Sequence, residues 1–65
     1  MAIVRIKHVS KGWCVYREEA HIGSYGTRDE AETSAREIAS LSPPSVVICY
    51  NKDQSIRYAQ QFMKR

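Results

Sequence analysis

The side chains with the most chemistry to offer are His8, Cys14, His21 and Cys49, four groups of the types that bind zinc. Zinc sites are normally seeded by two ligands close in sequence, as in C-x-x-C or H-x-x-x-H, so that one element presents both. No two of these four are so spaced. They read instead as strand residues, with the histidines at a sheet margin. Nucleophilic catalysis by Cys14 would need a base and oxyanion donors beside it, and no local motif supplies them. Glu18 and Glu19 are consecutive, so on an extended chain they face opposite ways and cannot converge on one bond. Gly12, Gly23 and Gly26 do not make a phosphate-cradling loop and fall where turns or bulges belong. No catalytic residue, metal ligand or cofactor is expected.

What remains is charge. The chain carries 10 Lys+Arg against 7 Asp+Glu, a net of +3. Its distribution says more than its sum. Residues 28–41 hold Asp29, Glu30, Glu32 and Glu37 against Arg28 and Arg36, a net of −2. Everything else holds Arg5, Lys7, Lys11, Arg17, Lys52, Arg57, Lys64 and Arg65 against Glu18, Glu19 and Asp53, a net of +5. Arg5, Lys7 and Arg57 stand out of phase with the apolar residues around them, and Tyr16 shares that side. Cations interleaved with an aromatic hold a phosphate backbone or stack a base. Arg5, Lys7, Tyr16 and Arg57, with Lys11 and Lys52 in the loops, are therefore the candidate contacts for DNA or RNA. A sheet covered on one side also turns polar residues to water with no ligand involved. Both readings stand at this level.

Positioning these residues requires strands, and the pattern provides them. Residues 2–9 alternate, with Val4 and Ile6 on one side and Arg5 and Lys7 on the other, the period-two signature of a half-buried strand. Ser10-Lys11-Gly12 supplies turn chemistry. Residues 13–17 resume the alternation, Trp13 and Val15 opposite Cys14 and Tyr16, so the pair reads as a hairpin. Residues 21–25 form a third, shorter strand, bulged near Gly23. A helix then opens at Thr27, whose N-cap hydroxyl and the Glu30 carboxylate make a capping box serving two backbone donors. Ala31, Ala35, Ile38 and Ala39 form its apolar stripe, while Arg28, Glu32 and Arg36 are assigned to a solvated side. Ser42-Pro43-Pro44 ends it, because proline bars the preceding residue from helical geometry. The alanines predict close approach to a sheet whose bulk comes from Trp13, Val15 and Ile48, with Trp13 at the core. Residues 45–50 and 56–59 make two last strands around the polar turn Asn51-Lys52-Asp53-Gln54. Residues 60–65 read as a basic tail, anchored only by Phe62 and prone to fray. The expected fold is α+β, an antiparallel sheet of four or five strands in chain order β-β-β-α-β-β, with one helix on one face.

Taken together, Gly12-Trp13-Cys14-Val15, Thr27-Arg28-Asp29-Glu30-Ala31, Ala35-Arg36-Glu37-Ile38-Ala39, Val46-Val47-Ile48 and Asp53 followed by Ile56-Arg57 form one pattern. It resembles a family of small bacterial proteins known only as domain of unknown function 2188. That resemblance covers most of the chain and implies a fold but no activity. The departure is at the last turn, where Gln54 takes the place of the family's usual glycine, which bears on the turn type. The first half is also similar to the arm-type DNA-binding domains of tyrosine recombinases and their plant transcription-factor relatives. Those put three strands before a helix opening with Thr-x-x-Glu-Ala, as residues 27–31 do here. This second resemblance implies a sheet face lying in the major groove of DNA.

Length sets the outer bounds. At 65 residues the chain is one domain, spanning residues 1–65. Such a domain buries only about 60% of its unfolded surface and has little room for a deep substrate cleft. A binding module is expected rather than an enzyme, with no small-molecule substrate. The longest apolar run, Val46-Val47-Ile48-Cys49-Tyr50, is far short of the roughly 20 residues that span a bilayer. No signal-peptide pattern opens the chain. Cytoplasmic residence, away from membranes, with two reduced thiols is the default expectation. The alternative to nucleic acid is a protein partner. The domain would then be an adaptor or inhibitor acting on a host or phage factor, or a homodimer paired through an exposed strand.

Overall fold

The computed structural model describes residues 1–63. Strand β1 (Ala2–Val9), β2 (Gly12–Arg17), β3 (Ala20–Tyr25), helix α1 (Arg28–Leu41), β4 (Ser45–Tyr50) and β5 (Ile56–Phe62) follow one another in the expected order. In space the sheet runs β3-β2-β1-β4-β5. Three neighbouring pairs are antiparallel, but β1 and β4 are parallel. The sheet is thus mixed rather than antiparallel throughout. The reason is the helix: it carries the chain back along the sheet, so β4 starts at the end where β1 starts and must run with it.

Alternation decides which side of each strand meets the helix. Val4, Ile6, Trp13, Val15, Val47 and Cys49 form the buried core with Ala31, Ala35 and Ala39. All three alanines are fully buried, since a methyl group lets the helix axis approach the sheet closely. Ile48 is not beneath the helix, contrary to expectation. Val47 and Cys49 are, and Ile48 lies between them in sequence and so faces the other way. Below the helix C-terminus the Ser45 hydroxyl, itself buried, donates to the Ala39 carbonyl at 3.0 Å. The same carbonyl accepts from the backbone amide of the C-cap residue Ser42 at 3.3 Å, so the last turn is closed by two donors.

The helix starts as the sequence predicts, with one difference of detail. Thr27 Oγ1 accepts from the Glu30 amide at 3.3 Å, while its hydroxyl donates to Glu30 Oε1 at 3.1 Å. The carboxylate therefore binds the cap's side chain rather than its backbone amide. Of the three residues assigned to a solvated side, Arg36 is there, with 47% of its side chain exposed, while Arg28 and Glu32 are partly covered. The Glu32 side chain is only 14% exposed, because this flank of α1 leans toward the sheet.

Both edge strands are bulged. The β2–β3 register shifts at Val15/Tyr16, where Gly23 pairs with Val15 and His21 with Tyr16, leaving Ile22 extra. The β4–β5 register shifts at Cys49/Tyr50, leaving Arg57 extra. Strand β5 does not stop at Ala59 but continues to Phe62, which pairs with Ser45 and packs against the core. The predicted frayed tail therefore begins no earlier than residue 63, and Lys64 and Arg65 lie outside the described residues.

Three turns carry backbone constraints, one of them the β2–β3 turn, where Glu18 is left-handed at φ 56°. Gly12 opens β2 so close to β3 that a Cβ there would collide with the Tyr25 carbonyl oxygen. At the last hairpin, the Gln54 amide donates to the Asn51 carbonyl at 3.1 Å and Gln54 has φ 76°. This is a three-residue loop whose last position is left-handed, the position that glycine ordinarily fills. Glutamine there costs about 1 kcal/mol in side-chain crowding. Replacing Gln54→Gly is expected to stabilise the domain by about 0.5–1 kcal/mol, read as a higher midpoint in urea at unchanged slope. Gly12→Ala is expected to destabilise it by about 1–3 kcal/mol in the same titration, since backbone would have to move.

Candidate nucleic-acid interface

The side of the sheet away from α1 has no layer over it among the described residues. Register puts Ile3, Arg5 and Lys7 of β1 there, with Cys14 and Tyr16 of β2 and Val46, Ile48 and Tyr50 of β4. Arg5 pairs with Tyr16, and the parallel register sets Arg5 opposite Ile48 on the other flank. Lys7 is the centre of this face. Its Nζ lies 5.9 Å from the Tyr16 ring centroid and 5.6 Å from that of Tyr50. Both distances are within cation–π range. On its far side, Tyr16 meets the His21 ring edge-on at 5.4 Å between centroids. Arg5 leans away from this cluster, its Nη1 3.5 Å from the Glu18 carbonyl oxygen. The Glu18 carboxylate in turn accepts from the Ile3 amide at 3.1 Å.

The remaining predicted contacts are distributed as follows. Lys11 sits in the β1–β2 turn and Lys52 in the β4–β5 turn. Because β4 runs parallel to β1, both turns are at the same end of the sheet. Arg57 is the extra residue of the β5 bulge, so strand alternation does not commit it to the open face. Its charge is felt by the Cys49 thiol, which is on the helix side. Sequence reasoning does not find Tyr50, because Val46-Val47-Ile48 is apolar throughout and leaves the phase of β4 open; the structure turns Val47 and Cys49 to the helix and so sets Tyr50 on the open face.

Two other polar constellations exist. On the open face, Cys14 Sγ lies 3.5 Å from Ser24 Oγ, which lies 3.2 Å from His21 Nε2. Cys14 is buried at 7% exposure between its neighbours, which fits a packed thiol rather than an attacking one. On the helix side, one Glu32 carboxylate serves two arginines, Oε1 lying 3.3 Å from Arg28 Nε and Oε2 3.2 Å from Arg36 Nη2. The Arg28 guanidinium also stands 6.0 Å from the Trp13 ring centroid. Beneath them are Cys49 and Tyr58, whose hydroxyl is buried without a partner in hydrogen-bond geometry. Burial, and then the Glu32 charge, push both the Cys49 thiol and the Tyr58 phenol above their ordinary values. Arg28 and Arg36 are thus engaged by Glu32, which leaves Arg5 and Lys7 on the open face, Lys11 and Lys52 at the hairpin tips, and Arg17 and Arg57 away from that face as the other cations among the described residues.

Cys14 and Cys49 are both free thiols. They are on opposite faces, on strands separated by β1, and cannot meet. Among the described residues no three His, Cys, Asp or Glu side chains gather as metal ligands, and no helix is long and apolar enough to cross a membrane. No family model, curated protein or solved structure matches this chain.

The helix-side pair has a pH consequence. A thiol and a phenol that ionise later when folded bind more protons than the unfolded chain does above their ordinary values of 9.0 and 10.0. Their contribution is fully present below about pH 9 and is lost as pH rises beyond it. Thermal melts from pH 8 to pH 10.5 are expected to fall in midpoint, and Tyr58→Phe is expected to flatten the upper part of that fall.

Proposed function

We propose that this domain is a small non-enzymatic binding module that holds nucleic acid on the open face of its sheet. One observation carries the reading: the Lys7 ammonium stands between the rings of Tyr16 and Tyr50 on a face that no other element covers among the described residues. A phosphate backbone needs cations that are not already neutralised, and bases need flat apolar rings. Lys7 and the two tyrosines supply both within one side chain's reach. Arg5 stands beside them, and Lys11 and Lys52 extend the positive field at one end. The helix side is the poorer surface, since α1 carries a net negative charge and its arginines face Glu32.

A protein partner is the second reading, and one feature favours it. Ile3, Val46 and Ile48 are half-buried on the same face, and an apolar strip suits a protein surface or a second copy better than it suits phosphates. Light scattering discriminates: a stable dimer that shields Lys7 from chemical labelling replaces the nucleic-acid reading.

Retention of a labelled oligonucleotide at low salt is the direct test. With about three phosphates neutralised, log affinity against log salt has a slope of roughly −2.1 to −2.7, about a twenty- to fortyfold loss from about 50 to 200 mM. Lys7→Gln is expected to reduce that slope by about one. Absence of retention at low salt ends the proposal.

A further inference from the structure

Resting on that reading, we infer that the ligand is a single strand laid across the sheet with unpaired bases on Tyr16 and Tyr50, and not a duplex. The width of the face is the first reason. Five strands spaced about 4.8 Å apart make a slab of roughly 20 Å across their backbones. The major groove of DNA is about 12 Å wide and admits a helix or a two-stranded ribbon. Tyr16, Lys7 and Tyr50 stand on the three inner strands β2, β1 and β4, with β3 and β5 outside them. Those outer strands meet the groove walls before the inner side chains reach a base edge.

The spacing of the rings is the second reason. Tyr16 and Tyr50 are two strand spacings apart and offset by two residues along the strands, Tyr16 lying level with Arg5 and Tyr50 following Cys49, the partner of Ile6; that is roughly 12 Å, whereas bases stacked along one strand of a duplex are about 3.4 Å apart. Two rings at this distance take bases that have been splayed apart, which only an unpaired strand offers without loss of pairing. The third reason is the state of the rings before binding. Lys7 lies near both tyrosines and His21 braces Tyr16 from the other side, so the rings are held in place with a cation beside each of them on the open face. An exposed cation–π contact is worth about a factor of two to five. Base stacking on an aromatic is worth roughly five- to 150-fold. A base therefore displaces the ammonium from a ring, and the freed Lys7 reaches the adjoining phosphate.

Fluorescence anisotropy of the full chain with a labelled oligo(dT) of about twelve nucleotides, against a duplex of the same length, tests this. Single-strand affinity at least tenfold above duplex affinity is expected. Tyr16→Leu and Tyr50→Leu are each expected to weaken single-strand binding roughly five- to 150-fold, and Tyr16→Phe and Tyr50→Phe to retain it. Circular dichroism verifies that the leucine variants fold. If one does not, ultraviolet cross-linking of the unaltered protein to a bromouridine oligonucleotide, mapped by mass spectrometry, is expected to mark Tyr16 or Tyr50. Equal or tighter duplex binding, leucine variants that bind like the parent, or cross-links confined to other surfaces overturn the single-strand inference alone. Binding of neither nucleic acid overturns the face's proposed function as well.

Discussion

Strand β1 sits in the middle of the sheet with a neighbour on each side, and among the described residues a single helix is the whole second layer. One 14-residue helix is about 21 Å long and can cover one face of five strands but not two. Every strand must therefore be two-faced. Val4 and Ile6 are fully buried against α1, and the residues alternating with them, Arg5 and Lys7, are forced out onto the uncovered side. The position of the candidate interface follows from this packing constraint. It depends on Ala31, Ala35 and Ala39 being small enough to bring the helix down onto the core.

The same packing divides the charges. Glu32 lies low on the flank of α1 and takes one arginine on each carboxylate oxygen, which keeps Arg28 and Arg36 on the helix side. Arg28 is further held over Trp13, the largest side chain of the core. Partly buried pairs of this kind are screened by salt less than exposed ones. Lys7 has no such carboxylate partner among the described residues and instead rests between tyrosines, whose rings attract a cation without neutralising it. A cation so placed is free to be taken by a phosphate.

Sheet edges are the competing way for a small domain to bind. Here β3 and β5 each carry a bulge, and a bulge twists an edge and breaks the even row of donors and acceptors that another strand would need. The face of the sheet is consequently better formed for recognition than its margins. Tyr25 adds to this on the helix side: its hydroxyl meets Ser34 Oγ at 2.6 Å and its ring covers Gly23, which stiffens the β3 margin beside the bulge.

Local alternation was legible from the sequence. Val4 against Arg5, Val15 against Tyr16 and the Thr27–Glu30 cap are decided by neighbours within a few residues, so the strands, the helix start and the facing of Arg5, Lys7 and Tyr16 could be read without coordinates. What could not be read was which strand lies beside which. Setting β4 next to β1, and parallel to it, is a long-range choice made by the helix crossover, and it alone brings Tyr50 to Lys7. The phase of β4 also turns on it, because Val46-Val47-Ile48 is apolar throughout and carries no period-two signal; contact with the helix chose Val47 and released Ile48. A bulge, likewise a matter of pairing rather than of sequence, took Arg57 out of the alternation that had assigned it to the open face.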